Sequence, residues 1–161
     1  KLPLQAVIMA GGFGTRLRPL TANVPKPMLP VGEKPLMELI LKQLEQAGIH
    51  RVNVTTHYMP EKIVDYFKDG SAFGVEMNYV NEESPLGTAG ALGLIEESHE
   101  PFLVMNGDIL TGVDFRELHA FHDEHRAAMT VGVRKYEISV PYGVVEHQAG
   151  KIDRIVEKPS L

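Results

Sequence analysis

The chain has 161 residues, of which 43% are hydrophobic and 23% charged, and its formal net charge is −5 at pH 7. This length and composition predict one soluble globular domain that can bury a core of its own. The negative charge argues against broad binding to nucleic acid or anionic membranes. Cysteine is absent, and there is neither an apolar run of membrane-spanning length nor a signal-peptide pattern, so the cytoplasm is the expected location.

The first half of the chain predicts two strands and two helices. An apolar run over residues 4–9 is typical of a buried strand, and it leads directly into a glycine-rich loop. Apolar residues at helical spacing predict a helix over residues 35–48, which a glycine would end. A second strand is predicted over residues 51–56, followed by a helix over residues 60–70.

The second half predicts further strands, two helices and a final hairpin. The strands are expected at residues 75–80, 102–105 and 128–133 and, in the hairpin, at residues 142–146 and 151–156. The hairpin should turn at Ala149-Gly150. Thr88 is expected to cap a short helix. Asp114 with Glu117 resembles a capping box and predicts the start of a longer helix.

The alternation of strands and helices predicts the fold class. It indicates a Rossmann-like open α/β sheet, mostly parallel but mixed, with helices on both faces and right-handed connections. Ligands of such sheets bind at the carboxyl ends of the strands. We therefore expect the loops that follow Met9, Val80 and Met105 to meet and form the site.

The first loop has an unusual composition. Residues 9–27, MAGGFGTRLRPLTANVPKP, combine glycines, cations and prolines. Glycines let backbone N–H groups approach a ligand, the cations supply positive charge, and the prolines prevent a continuous helix. This combination suits a polyphosphate, although a flexible basic surface turn would have the same composition. The residues concerned are Gly11, Gly12, Gly14, Arg16, Arg18 and Lys26.

Two common phosphate-binding fingerprints do not match this loop. The Walker loop needs Gly-Lys followed by Ser or Thr, whereas Gly14 is followed by Thr15-Arg16. The dinucleotide fingerprint needs a third glycine at the start of a helix, whereas Leu17 occupies that position and Pro19 follows closely. Hydride transfer and kinase or ATPase chemistry are therefore disfavoured.

The motifs together resemble one enzyme family. The stretch GGFGTRLRPLT…PKPMLPV resembles the signature of the sugar-phosphate nucleotidyltransferases, which make nucleoside-diphosphate sugars. Its other motifs have counterparts in the same order: the base-binding loop (PLGTAGAL), the metal-binding Gly-Asp (NGD) and the sugar-binding elements (YGVVE and EKP). The resemblance covers essentially the whole chain. The forms VPYGVVE and LGTAGAL are most similar to those of mannose-1-phosphate guanylyltransferase-like enzymes.

The resemblance implies a fold of the nucleotide-diphospho-sugar transferase type and a specific reaction. A nucleotidyl group would pass from a nucleoside triphosphate, with GTP favoured, to a sugar-1-phosphate, releasing pyrophosphate. Because the attacking phosphate is already an anion, positioning, cations and Mg²⁺ would carry the catalysis. The implied catalytic residues are Arg16, on the β- and γ-phosphates, and Lys26, on the α-phosphate and the sugar phosphate. Asp108 would bind the Mg²⁺ ion.

The remaining implied contacts belong to the nucleotide and the sugar. A carboxylate at Glu82 could accept from guanine N–H groups, which thymine would satisfy less well, so thymidylyl or uridylyl transfer stays an alternative. The nucleotide-binding residues are Gly11, Gly12, Gly14, Thr15, Glu82, Gly87 and Thr88. The sugar-phosphate-binding residues are Gly143, Glu157 and Lys158.

The sequence also predicts a truncated domain. Its first residue is Lys1, and members of the family continue beyond the EKP element, with a second metal-binding aspartate. We therefore expect residues 1–161 to be a nucleotidyltransferase domain shortened at its carboxyl side, which binds nucleotide but transfers slowly or not at all. Uncovered apolar surface would favour a homo-oligomer.

One alternative function remains open, and one alternative site is disfavoured. A non-catalytic module that senses nucleotides or nucleotide sugars would share the fold, but it would not need Arg16, Lys26, Asp108 and Lys158 together. A metal site at His119, His122 and His125 is disfavoured, because residues at this spacing drift around a helix.

Overall fold

The computed structural model describes residues 1–87, 89–96 and 100–159. It forms two compact units, Lys1–Arg126 and Ala127–Leu161, each of which is described by itself. Whether the chain behaves as the one expected domain stays a prediction. The strands and helices are β1 Gln5–Met9, β2 Pro30–Val31, β3 Lys34–Pro35, α1 Leu36–Ala47, β4 Arg51–Thr56, α2 Pro60–Phe67, β5 Glu76–Asn81, β6 Phe102–Asn106, α3 Phe115–His125, β7 Gly143–Gln148 and β8 Lys151–Glu157.

A four-stranded parallel sheet organises the first unit, with strand order β5-β4-β1-β6. In register, Met9 pairs with Thr55 on one side and with Asn106 on the other, and Thr55 pairs with Val80. These four residues therefore form one row across the sheet at its carboxyl edge. A second small ladder joins β2 and β3 in antiparallel fashion.

Apolar side chains cover both faces of the sheet. Ala6 and Ile8 of β1 belong to one buried cluster, to which α1, α2 and α3 contribute Ile40, Phe67 and Phe115. Val7 points to the opposite face by strand alternation, and it is also fully buried. This two-sided burial explains why the first strand is a continuous apolar run.

The direction of the connections places helical segments on both faces. The chain moves from β1 to β4 through α1 and from β4 to β5 through α2, in the same direction across the sheet. It then returns past two strands to β6, so a right-handed connection lies on the other face. That connection contains the 3₁₀ segment Gly90–Leu94, in which Ala91 is buried. The predicted open α/β fold class is confirmed.

The helix ends follow local chemistry. The N–H of Gly48 donates to the carbonyls of Leu44 and Glu45, which ends α1 at the predicted glycine. At the start of α3, the carboxylate of Asp114 accepts from the backbone N–H groups of Arg116 and Glu117, so the predicted cap is confirmed. Within the described residues, no helix is both long and apolar enough to cross a bilayer.

Two helix predictions differ in detail from the structure. Helix α2 ends at Phe67 rather than near residue 70, because Lys68 has a φ of 52° and leaves the right-handed helical region. The short helix expected after residue 88 is a 3₁₀ segment, Gly90–Leu94. Thr88, its predicted cap, lies outside the described residues.

The strand predicted over residues 128–133 is wrong. This segment has no strand conformation, and Met129, Val131 and Val133 have 76%, 60% and 88% of their surfaces exposed. An apolar, β-branched segment becomes a strand only when a neighbouring strand accepts its hydrogen bonds and a core covers one face. In the described part of the chain, no strand is paired with this segment, and these three apolar side chains are not covered by a core.

The predicted hairpin is confirmed in the second unit. Strands β7 and β8 pair in antiparallel fashion, with Gly143 opposite Glu157. The turn lies at Ala149 and Gly150, whose φ angles are 51° and 80°. Two successive positive φ angles are typical of the tight hairpin turns that match strand twist.

Candidate active site

A cavity of about 520 Å³ lies at the carboxyl edge of the parallel sheet. It brings together the ends of β1, β4, β5 and β6, so the predicted meeting of the three loops is confirmed. Its lining residues are Met9, Ala10, Gly11, Gly12, Phe13, Gly14, Thr15, Arg16, Leu17, Lys26, Pro27, Thr55, Glu82, Pro85, Gly87, Ala91, Asn106 and Asp108. Every one of them belongs to the first unit.

The glycine loop turns sharply after β1. Gly14 has a φ of 62°, a left-handed conformation that favours glycine, and a Cβ there would lie 2.9 Å from Cγ2 of Thr21. The hydroxyl of Thr21 donates to the Gly14 carbonyl over 2.7 Å. One 3₁₀ turn, Thr15–Leu17, follows instead of a long helix, which agrees with the mismatch to the dinucleotide fingerprint.

Two aromatic side chains support this loop. The ring of Phe13 lies 5.3 Å from that of His57 and 5.6 Å from that of Tyr58. The hydroxyl of Tyr58 donates to the carbonyls of Thr21 and Ala22, over 3.1 and 3.0 Å. The connection after β4 therefore helps to fix the glycine loop, a support that sequence reasoning missed because the partners are 36 or more residues apart.

The basic residues of the glycine loop differ in whether they line the cavity. Arg16 is exposed and lines the cavity, as does Lys26, whereas Arg18 is exposed and is not among the lining residues. Lys26 lies in a 3₁₀ turn between Pro25 and Leu29 and follows a proline that holds an extended conformation. Two of the three basic residues of this loop therefore face the cavity.

Lys26 and Asp108 form an ion pair at the cavity wall. The ammonium group of Lys26 donates to Oδ2 of Asp108, and the two side chains are 35% and 27% exposed. The backbone N–H of Gly107 donates to the Met9 carbonyl over 2.8 Å, which fixes the start of the Asp108 loop beside the glycine loop. The structure thus unites residues 82 positions apart that were predicted to have separate roles.

Glu82 is a buried carboxylate just beyond β5, only 6% exposed. Its Oε2 accepts from the backbone N–H of Leu86 over 3.2 Å, and its own N–H donates to the Thr56 carbonyl over 2.8 Å. A Cβ on Gly11 would lie 2.7 Å from Oε1 of Glu82. The predicted base-binding carboxylate is therefore in direct contact with the predicted phosphate loop.

The other predicted nucleotide-binding residues are placed as follows. Gly12, Thr15 and Gly87 line the cavity, and Gly87 has a φ of 80°. Gly12 has open space around the position that a Cβ would take. Thr88 lies outside the described residues.

The predicted sugar-binding residues gather in the second unit. Gly143 and Glu157 are paired across the hairpin, and a Cβ on Gly143 would lie 3.0 Å from Oε2 of Glu157. The N–H of Lys158 donates to the Tyr142 carbonyl over 3.2 Å. The structure therefore groups Gly143, Glu157 and Lys158, and their roles stay predictions.

The histidine row on α3 has local contacts. His119 lies 3.6 Å from the carboxylate of Asp123, and the ring of His125 stacks on Phe121 at 4.0 Å. Among the described residues, no group of three or more His, Asp or Glu side chains could hold a metal ion by itself.

Sequence reasoning missed two polar residues of the cavity wall, Thr55 and Asn106, as site residues. Thr55 lies inside a strand and belongs to no motif, and Asn106 ends a strand and begins the NGD motif, in which only Asp108 was given a role. Only the register of the sheet, which places both beside Met9, indicates that they face the cavity.

A family model and the curated relatives of this chain indicate the same protein family. The family model described as nucleotidyl transferase matches residues 5–161. The mannose-1-phosphate guanyltransferase of Schizosaccharomyces pombe is 40% identical over 164 residues, which are 97% of this chain and 45% of that protein. The corresponding enzyme of Yarrowia lipolytica is 39% identical over 163 residues, or 97% of this chain and 45% of that protein. The chain thus spans about half the length of these curated relatives.

A solved structure supports the same relationship. HddC from Yersinia pseudotuberculosis, crystallised in complex with GMP-PN, has a TM-score of 0.64 to this chain at 27% identity. The similarity covers 96% of this chain and 69% of the HddC chain.

Proposed function

The chain belongs to the nucleotidyl transferase family, and on that premise we propose that it transfers a nucleotidyl group from a nucleoside triphosphate to a sugar-1-phosphate. The products are a nucleoside-diphosphate sugar and pyrophosphate. The observation that carries this proposal is the cavity in which the glycine loop, Arg16, Lys26, Asp108 and Glu82 meet. The similarity to mannose-1-phosphate guanyltransferases supports GTP as the favoured nucleotide and mannose-1-phosphate as the first sugar phosphate to test.

The cavity offers what phosphoryl chemistry of this kind requires. The attacking group is a phosphate oxygen that is already negatively charged, so no side chain has to remove its proton. The main barrier is the repulsion between two polyanions and the charge that develops on the transferred phosphorus. Arg16 and Lys26 bring two positive charges to the cavity, and Arg16 can bind two phosphate oxygens at once.

Magnesium fits the carboxylate of Asp108, and we propose it as the cofactor. The carboxylate already holds one cation, the ammonium group of Lys26, at the cavity wall. Hard cations favour one or two carboxylates together with phosphate oxygens and water, which suits the part of the wall formed by Asp108 and Asn106. When bound, Mg²⁺ would neutralise phosphate charge. Lys26 faces the same cavity and can donate to phosphate oxygens.

The opposite end of the cavity is suited to the base. Glu82 is buried and keeps Oε1 on the side of Gly11, while its Oε2 is held by Leu86. A buried carboxylate oxygen can accept from the adjacent N–H groups of guanine. We assign Glu82 and Gly87 to the base, and the N–H groups of Gly11, Gly12, Gly14 and Thr15 to the phosphates.

The hairpin of the second unit is assigned to the other substrate. Glu157 would accept from sugar hydroxyls, and Lys158 would bind the sugar phosphate. Gly143 leaves room for the Glu157 carboxylate, because a Cβ at that position would approach it to 3.0 Å. A cytoplasmic location is proposed together with this activity.

A pyrophosphate-release assay tests this function. GTP, dTTP, UTP, CTP and ATP are each combined with several sugar-1-phosphates in the presence of Mg²⁺, and release is expected with GTP and mannose-1-phosphate. Lys26→Met should lower the rate by about 10²–10³-fold, as removal of a transition-state contact does. Lys62→Met, an exposed lysine on α2, is the matched control and should leave the rate unchanged.

Other outcomes have a definite meaning. Release with dTTP or UTP alone would assign a thymidylyl or uridylyl transferase of the same family. Thermal stabilisation by nucleotide without release from any pair, even after incubation long enough to detect slow transfer, would contradict the enzyme and favour a sensing module.

A further inference from the structure

Thr55 contributes a buried hydroxyl group to the cavity wall. It is the penultimate residue of β4 and has none of its surface exposed, yet it lines the cavity. Its backbone carbonyl accepts from the N–H of Ala10 over 2.9 Å, so the carbonyl is satisfied. The side-chain Oγ1, however, has no hydrogen-bond partner among the described residues.

A buried hydroxyl without a hydrogen-bond partner lowers the stability of the fold, unless a bound ligand supplies the partner. Burial removes its bonds to water, and a valine of nearly the same shape would fill the position without that cost. The polar residue two positions earlier on the same face behaves differently. Asn53 donates to Gln5 and accepts from Asn78, each over 3.1 Å. Thr55, which lines the cavity, therefore differs from its neighbour on this face in that its side-chain oxygen has no partner among the described residues.

The position of β4 in the sheet indicates which part of a ligand lies nearby. Strand β4 lies between β5, after which Glu82 follows, and β1, after which the glycine loop follows. Thr55 is therefore located between the residue assigned to the base and the loop assigned to the phosphates. Asp108, which follows β6, is at the far end of the same row of strands. Thr55 is thus on the nucleoside side of the cavity.

We propose that the hydroxyl of Thr55 forms a hydrogen bond with the nucleobase of the bound nucleotide and so sets part of its affinity. This contact presupposes the proposed function. A threonine hydroxyl can both donate and accept, and the edge of a nucleobase offers atoms of both kinds. Ala91, which is also buried and lines the same cavity, adds an apolar surface that suits a planar ring.

The test compares nucleotide affinity in three variants by calorimetry with GTP and Mg²⁺ on the 161-residue chain. Thr55→Val should raise the dissociation constant about tenfold, the effect of losing one buried hydrogen bond. Thr55→Ser keeps the hydroxyl and should stay within about threefold of the wild type. Thr56→Val, a neighbouring buried threonine that does not line the cavity, should bind as the wild type does.

Thermal unfolding without nucleotide provides a second measurement. Because the Thr55 hydroxyl has no partner in the described part of the chain, Thr55→Val should melt at or above the wild-type temperature. A valine variant that binds GTP as well as the wild type, or one that melts several degrees lower, overturns the inference.

A deoxynucleotide separates the base from the ribose. With 2′-deoxy-GTP the tenfold difference between wild type and Thr55→Val should persist. If it disappears, the contact is with the ribose hydroxyl and the assignment to the base is wrong. If the wild type binds none of the nucleoside triphosphates, the proposed function fails first, and this contact fails with it.

Discussion

At the scale of single residues, the cavity depends on close contacts that only certain side chains permit. Gly11 faces the carboxylate of Glu82 so closely that a Cβ would lie 2.7 Å from Oε1 and 3.4 Å from Cβ of His57. Glu82 cannot move freely, because it is buried and its Oε2 accepts from Leu86. The position of the Glu82 carboxylate, in the base loop, therefore depends on Gly11 of the phosphate loop having no side chain.

The contact between Gly11 and Glu82 predicts a contrast between Gly11 and a glycine outside the cavity. Gly11→Ala should displace the Glu82 carboxylate and raise the dissociation constant for GTP about tenfold, with only a small loss of melting temperature. Gly112→Ala is the matched control, because a Cβ there meets nothing within 4 Å and the residue does not line the cavity. Calorimetry on both variants checks this. Equal affinities for the two variants would show that the Gly11–Glu82 contact is irrelevant to binding.

At the scale of elements, distant segments hold the loops around the sheet edge. Tyr58, after β4, anchors the glycine loop at Thr21 and Ala22. In the same way, the hydroxyl of Tyr79 in β5 donates to the Lys68 carbonyl over 2.7 Å, just beyond the end of α2. This bond links β5 to the helix that precedes it in the chain.

The environment of Tyr79 predicts a loss of stability at alkaline pH. Burial of the phenol, which is the larger cause, and the nearby charge of Asp69 raise the pKa of Tyr79 from 10.0 to about 12. A raised pKa means that folding favours the protonated phenol. The contribution of this phenol to the free energy of unfolding is therefore complete below about pH 10 and is lost between pH 10 and 12.

Comparison with a phenylalanine variant isolates this effect. Tyr79→Phe should lower the free energy of unfolding by about 1 kcal/mol at pH 8, through loss of the hydrogen bond. As the pH rises from 10 to 12, the difference in the free energy of unfolding between the wild type and Tyr79→Phe should narrow. Urea unfolding followed by circular dichroism measures this difference. Tyr136→Phe, at a position 69% exposed, should show no gap at any pH. A constant gap for Tyr79→Phe would contradict the assignment.

At the scale of the whole molecule, each of the two units exposes apolar side chains. In the first unit, β6 is at an edge of the described sheet, and Phe102 and Val104 on it are 36% and 37% exposed. In the second unit, Val131 and Val133 are exposed in a segment without regular structure. Exposed apolar surface of this kind favours contact with another protein surface.

The second unit therefore predicts self-association. The average mass of the chain in solution should rise above 17.8 kDa as concentration increases, which size-exclusion chromatography with light scattering measures. Changing Val131→Ser and Val133→Ser together should reduce this rise without changing GTP affinity, since neither residue lines the cavity. Lys135→Ser, nearby in the same segment, is the control. Undiminished association of the double variant would place the contact elsewhere.

The sequence by itself determined the elements whose causes are local. The apolar run of β1, the glycine that ends α1, the Asp114 cap and the Ala149-Gly150 turn were each predicted and are present, because each depends on residues only a few positions apart. Most residues of the cavity were also identified from motifs, since loops after parallel strands meet at one edge.

Only the tertiary structure decided which residues face one another. The Lys26–Asp108 pair, the contact of Gly11 with Glu82, and the free hydroxyl of Thr55 all depend on strand order and register. Residues 128–133 show the converse, because a strand-like pattern formed no strand where no neighbouring strand pairs with it among the described residues. Local patterns specify conformation, whereas pairing between distant segments specifies the chemistry of the site.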